Sequence, residues 1–321
     1  DPWKTQIGRG ALSALGLGLD FDKGDVAVRL NFCTVDENGN VVDRRAGRLS
    51  TEIARKLCRE LDTISIPGIE IFVEAEMEYR AAVVFRGDGL CDGVGDSDPQ
   101  VTGVPPNQLR ANDSDSLRMV DVANQFLSAA RELLAGKTPA NMILMRGFGR
   151  YPELDSFQDV YGLKSLGIAG YPMYRGVAGA VGMETIEVGW DMESELRLYE
   201  EQRSKYDFCY FHVKKTDSAG EDGDFNRKVE LLEEIDSFIP RMVKQTPDVF
   251  IVTGDHSTPA TMRSHSWHPV PTMVSSEWTL SGSTKEFSER ACKNGSLGVI
   301  PSSSLLAVAL AHAKRLSKFG A

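Results

Sequence analysis

From about residue 137 onward the chain alternates short apolar runs with stretches of helical periodicity, and this alternation restricts the fold more than any other feature. The runs fall at 141–145, 165–169, 185–188, 208–213 and 249–252. Helical stretches at 176–183, 193–206 and 227–244 lie between them, and 303–316 comes last. Strands that alternate with helices are joined by right-handed crossovers, which builds a mostly parallel sheet with helices on both faces.

Residues 20–130 read differently. Two extended stretches, 25–32 and 41–43, flank the turn Asp36-Glu-Asn-Gly-Asn40, which suits a hairpin. A helix over 50–61 follows, with Ser50 or Thr51 as N-cap, then extended stretches at 69–76 and 79–86. The polar stretch 103–116 and a long helix over 117–134 close a compact α+β unit. Residues 20–130 therefore read as a unit apart from the α/β domain that fills 131–321. A chain of 321 residues exceeds one usual core, which agrees with this division.

The formal net charge of -10 argues against nucleic-acid or membrane-surface partners. An anionic substrate would need a local basic cluster. Five cysteines, Cys33, Cys58, Cys91, Cys209 and Cys292, are scattered without CxxC spacing and read as small buried side chains in a reducing cytoplasm. No stretch is apolar enough for a membrane span, and whether the chain forms a homo-oligomer is left open.

Three of the five histidines fall between His256 and His268, directly after the apolar run ending at Val252. A β-branched run that ends in Asp255-His256 delivers a carboxylate and an imidazole at a strand terminus, where open α/β sheets bind ligands. Carboxylate oxygen with imidazole nitrogen suits Mn, Zn or Fe. The spacing matches neither an HExxH helix nor a zinc finger, so residues distant in sequence must complete the site. The run 208–213 leads into an acidic, glycine-containing loop with Asp217 and Glu221 four apart. Beside Asp255-His256 it supplies the other half of a two-metal site. Arg44, Arg45 and Arg48, with Arg80 and Arg86 on one strand, form the missing basic cluster, and their guanidinium forks suit phosphate and carboxylate.

The strings Val252-Thr-Gly-Asp255-His256-Ser-Thr-Pro259 and Ser264-His265-Ser-Trp-His268-Pro-Val-Pro271 resemble the archaeal type of cofactor-independent phosphoglycerate mutase, within the alkaline phosphatase superfamily. Gly8-Arg-Gly10, Arg29-Leu-Asn-Phe32, Asp43-Arg-Arg-Ala-Gly-Arg48, Tyr79-Arg80, Phe85-Arg86-Gly87, Asp96-Ser-Asp98-Pro99, Arg146-Gly147 and Tyr174-Arg-Gly176 extend the match in family order. The resemblance implies an alkaline-phosphatase-like α/β domain with a smaller inserted domain that grips substrate, so that 1–19 would be a remnant of the amino-terminal part of the larger domain, 20–130 the inserted domain and 131–321 the metal-binding α/β domain. It implies two divalent ions, Mn first and Mg, Zn or Co as alternatives, and no 2,3-bisphosphoglycerate.

Asp255 and His256 match the pair holding one metal with the nucleophile, and Asp217 and His265 match ligands of the other. His265 is preferred to His268 because the family ligand lies four residues before the first proline of Pro-Val-Pro. Glu221 stands where the motif usually has His, which exchanges a borderline nitrogen for a hard oxygen. Arg44, Arg45, Arg48, Arg80, Arg86, Lys164 and Arg175 are the substrate-binding candidates. The serine nucleophile is expected upstream of Asp1, so the chain as given is expected to lack it. The implied reaction interconverts 2- and 3-phosphoglycerate through phosphoserine, with a small, phosphorylated, carboxylate-bearing substrate. The alternatives are a metal-dependent phosphatase or phosphodiesterase, or an inactive ligand-binding homologue.

Overall fold

The computed structural model describes residues 7–280, 282 and 284–316, so the first six residues of segment 1–19 lie outside the described residues. The chain divides into two compact units: Asp1–Asp191 with Gln202–His212, and Met192–Glu201 with Val213–Ala321. In chain order come α1 (Arg9–Leu17), β1 (Val26–Val35), β2 (Val41–Asp43), α2 (Thr51–Leu61), β3 (Glu70–Met77), β4 (Arg80–Arg86), α3 (Leu117–Leu134) and β5 (Met142–Arg150). Next are α4 (Phe157–Tyr161), β6 (Ser165–Ala169), α5 (Pro172–Ala180), β7 (Glu184–Thr185), α6 (Met192–Gln202) and β8 (Phe208–His212). The remainder is α7 (Lys215–Asp222), α8 (Phe225–Val243), β9 (Val249–Val252), β10 (Met273–Ser276), α9 (Glu289–Cys292) and α10 (Leu305–His312).

In the first unit β1 is the spine. Its sequence, VAVRLNFCTV, is buried over its first eight residues, so both of its edges must be hydrogen-bonded to other strands. Antiparallel β4 and β5 flank it, with Leu30 opposite Ala81 on β4 and Met145 on β5. Strand β3 extends the sheet beyond β4, and β2 pairs with the end of β1. The period of two sorts the faces: Val26, Val28, Leu30 and Phe32 join Leu57 and Leu61 of α2 and Met119, Phe126 and Leu134 of α3 in the main core. Ala27, on the opposite face, packs with Ala11 and Ala14 of α1. Ser50 caps α2 by accepting from the backbone N–H of Ile53 at 3.4 Å, as its sequence position predicts.

Strands β7, β6 and β8 form a parallel sheet in that order. Among the described residues, parallel pairing is confined to these three. Strand β5, which the alternation of the sequence places in the parallel sheet, instead satisfies the second edge of β1. In the second unit β9 pairs antiparallel with β10, a strand absent from the sequence reading. The segment 214–224, read there as a loop, forms helix α7, capped by left-handed Gly223 and followed at once by Asp224, which caps α8.

Helices α1 and α5 cross at two glycines. A Cβ on Gly16 would lie 1.8 Å from the Pro172 carbonyl oxygen, and one on Gly176 would lie 1.8 Å from that of Leu12. Backbone stands where a side chain would go on both helices, so no rotamer change relieves the clash. Gly176→Ala is expected to separate the helices and to destabilise this unit by about 1–3 kcal/mol or more. That cost lowers the thermal midpoint by roughly 2–4 °C per kcal/mol for a unit of this size, measurable by calorimetry. An unchanged midpoint would show that the crossing is looser than described.

Candidate metal centre

The centre is built from two pieces of the second unit. Helix α7 carries Asp217 in its first turn and Glu221 one turn later, on the same helical face. The other piece is the segment after β9. Its chain turns at Pro259, whose carbonyl accepts from the N–H groups of Met262 and Arg263, and Arg263 has φ 52°. The return is registered by a bridge between Ser257 and Ser266, with the Ser266 N–H donating to the Ser257 carbonyl at 2.9 Å. Residues nine apart in sequence thereby meet: the rings of His256 and His265 lie 3.9 Å apart between centroids.

Gly220 locks the two pieces together. A Cβ there would fall 2.3 Å from the Thr258 carbonyl oxygen, so only glycine allows α7 to lie this close to the histidine loop. Lys228 of α8 donates to the same carbonyl at 2.6 Å.

One donor atom from each of Asp217, His256 and His265 lies within 4.8 Å of the others. Nε2 of His265 is 3.5 Å from Asp217 Oδ1 and 3.6 Å from Glu221 Oε1, while Nε2 of His256 is 3.4 Å from Asp255 Oδ2. His265 thus sits beside Asp217 and Glu221, and His256 sits beside Asp255 with its Nδ1 also 3.9 Å from Asp217 Oδ1. Mixed carboxylate and imidazole donors at these separations fit divalent first-row metals. His268 is not in the group; its ring stacks on Trp267 and its Nδ1 pairs with the Ser266 hydroxyl at 2.9 Å. Sequence reasoning missed Lys214 and Thr258. Both donate to Asp217, Lys214 to Oδ2 and the Thr258 hydroxyl to Oδ1 at 2.5 Å. Burial pushes the Asp217 carboxyl up, but these two hydrogen bonds, with the charge of Lys214, outweigh it and hold the carboxyl below its ordinary range.

The basic candidates lie in the first unit and differ in what their donors already hold. Arg44 makes a fork to Asp98, Nε to Oδ1 at 2.9 Å and Nη2 to Oδ2 at 2.7 Å. Burial pushes the Asp98 carboxyl up, yet the Arg44 hydrogen bonds, the Gln100 N–H and the nearby Arg44 and Arg146 charges hold it low. Arg86 is committed to Asp25 and Asp20, and Arg175, buried, donates to the carbonyls of Gly16, Ala169 and Gly170. Arg80 lies over the Tyr79 ring near Glu78, and Lys164 over that of Tyr206. Arg45 and Arg48 are exposed, and among the described residues their side chains make no hydrogen bond or ion pair. They flank an unusual turn in which Ala46, Gly47 and Arg48 all have positive φ, at 43°, 61° and 52°. The Asp43 carboxylate holds the turn by accepting from the N–H groups of Arg45 at 2.8 Å and Gly47 at 2.6 Å.

Comparison with known proteins bears on this geometry. The sequence profile described as 2,3-bisphosphoglycerate-independent phosphoglycerate mutase matches residues 1–141, and that of the Metalloenzyme superfamily matches 89–311. A Thermus thermophilus protein named "Probable 2,3-bisphosphoglycerate-independent phosphoglycerate mutase" is 45% identical over 326 residues, covering 100% of this chain and 80% of its own. A Thermotoga protein of the same name is 46% identical over 324 residues with the same coverage. Among solved structures, a Pyrococcus horikoshii protein superimposes with a TM-score of 0.82 at 26% identity, over 100% of this chain and 82% of that one. The cofactor-independent phosphoglycerate mutase of Thermoplasma acidophilum does so at 0.68 and 29% identity, over 98% and 83%. No helix among the described residues is long and apolar enough to cross a membrane. With relatives this similar along its whole length, the chain belongs to the 2,3-bisphosphoglycerate-independent phosphoglycerate mutase family, within the Metalloenzyme superfamily.

Proposed function

We propose that the protein interconverts 2- and 3-phosphoglycerate by metal-assisted phosphoryl transfer through a serine, without 2,3-bisphosphoglycerate. The observation that carries the reading is the convergence of Asp217, His256 and His265 from two chain segments of a family member. Asp217, Glu221 and His265 would hold one divalent ion and Asp255 with His256 the other, Mn being the first candidate. Bound there, the ions supply Lewis-acid stabilisation of the charge on a transferring phosphoryl group. The residues of the chain prepare for this. Lys214 keeps Asp217 ionised and partly offsets the acidic charge around it, and the 257–266 bridge fixes both imidazoles.

Recognition of the two anionic ends of phosphoglycerate falls, in this reading, to Arg45 and Arg48. Their forks are unspent, and the strained turn between them is held by Asp43. Arg44 and Arg80 would add positive charge, whereas Arg86 and Arg175 hold their own surroundings together, and Lys164 is engaged by an aromatic ring. A reducing cytoplasm is the compartment that agrees with the five free cysteines.

An assay of the full-length protein coupled to enolase, started with 3-phosphoglycerate, tests the reaction. Turnover is expected with Mn, a loss of about 100-fold or more after chelation, and recovery on adding Mn back. Release of inorganic phosphate without isomerisation would instead identify a phosphatase. Arg48→Ala is expected to raise the Michaelis constant about tenfold or more while changing turnover little, the loss of a charge-assisted contact of about 1.5–3 kcal/mol. An unchanged constant removes Arg48 from substrate binding. Glu221→His replaces a hard oxygen with a borderline nitrogen and is expected to shift metal preference from Mn and Mg toward Zn. Parallel titrations of wild type and variant with each ion check this, and identical preferences would remove Glu221 from the ligand set.

A further inference from the structure

We infer that Thr258 is a positioning residue that sets the tautomer of His256, leaving Nε2, the nitrogen that faces Asp255, free to bind a cation. The inference rests on the metal reading above but concerns a residue outside the ligand set. Thr258 is 4% exposed, and its hydroxyl lies 2.5 Å from Asp217 Oδ1 and 3.0 Å from His256 Nδ1. A hydroxyl has one proton to give and two lone pairs, whereas an ionised carboxylate can only accept. The hydroxyl proton therefore goes to Asp217. Toward His256 the same oxygen is left as an acceptor, so Nδ1 must carry a hydrogen.

A neutral imidazole protonated at Nδ1 has its lone pair on Nε2. That nitrogen is 3.4 Å from Asp255 Oδ2. Two lone-pair donors then face each other with no proton between them, which repels unless a cation sits against both. Without the hydroxyl, the other tautomer would place a proton on Nε2 and satisfy Asp255 by a hydrogen bond, closing the seat. Thr258 can enforce the choice because its backbone is immobilised: its carbonyl abuts Gly220 and accepts from Lys228. Partners of this kind orient metal-binding histidines and fix which nitrogen is bare.

The test compares wild type with Thr258→Ser, which keeps the hydroxyl, and Thr258→Val, which keeps the shape and loses it. Long-range proton–nitrogen correlation spectra of histidine-labelled, metal-free protein are recorded at about pH 8, above the ordinary imidazole range, with His256→Gln used for assignment. Wild type and Thr258→Ser are expected to show the proton on Nδ1 of His256, and Thr258→Val to lose that preference. Calorimetric titration with Mn should show affinity for Thr258→Val lowered about ten- to a hundredfold and for Thr258→Ser close to wild type. A proton on Nε2 in the wild type would overturn the inference, as would Thr258→Val with unchanged tautomer and affinity. If Thr258→Val does not fold, the wild-type and Thr258→Ser spectra decide. A wild type that binds no Mn would overturn the metal reading instead, and the metal-free tautomer would still decide the role of Thr258.

Discussion

The Asp217 carboxylate is the point on which the second unit's chemistry depends. Its side chain is only 11% exposed, and a buried charge is costly unless paired and hydrogen-bonded. The pairing comes from one turn of its own helix through Lys214 and from the distant loop through Thr258. Each partner leaves lone pairs of Asp217 facing His265 and His256. The carboxylate is thus ionised, fixed, and incompletely satisfied by protein, which is the condition for taking a cation. The close approach at Gly220 makes this possible, since a larger residue would push the loop and its hydroxyl off the helix.

A different logic governs the first unit. Arg29 and Arg146 are direct cross-strand partners on β1 and β5, a like-charge pairing that would destabilise the sheet if left alone. Each is answered by its own buried carboxylate, Arg29 by Glu76 at 3.2 Å and Arg146 by Asp98 at 3.5 Å. Tyr171 also accepts from Arg29 at 3.0 Å. Asp98 serves Arg44 as well, so one buried acid ties the polar face of the sheet to the start of the arginine turn. The expectation that arginines mark substrate sites therefore needs a second criterion: whether the guanidinium has donors to spare.

Much of the site was legible because its residues are chemically conspicuous. The Asp255-His256 pair after an apolar run, and two more histidines before Pro-Val-Pro, needed only residue types and order. Asp217 and Glu221 were legible as carboxylates but not as a helix. The segment Lys-Thr-Asp-Ser-Ala-Gly-Glu-Asp has charge, glycine and almost no apolar periodicity, and its helix is defined by Gly220 packing on the loop, a tertiary contact no local pattern records. Thr258 escaped because a threonine in a turn carries no distinguishing signal until its two partners are placed. In the fold, α2 announced itself through capping and α3 through a long, continuous helical stretch. The fate of β5 and β9 did not: a short apolar strand reads the same whether its partner runs parallel or antiparallel, and pairing was decided by the free edges of β1 and β10.

The turn from Asp43 to Arg48 shows what this protein spends stability on. Two non-glycine residues, Ala46 and Arg48, adopt left-handed φ there, each at a cost of about 1–3 kcal/mol. Such strain persists only where the surroundings over-determine the backbone. Here the Asp43 carboxylate captures two N–H groups, and Arg44 is clamped to buried Asp98. The outcome is a tethered segment in which, among the described residues, the side chains of Arg45 and Arg48 make no hydrogen bond or ion pair. A turn serving only to connect β2 to α2 would relax to ordinary dihedrals. The anion recognition proposed for Arg45 and Arg48 would gain from strain, because the ordering cost of their backbone is met on folding and not again when an anion binds.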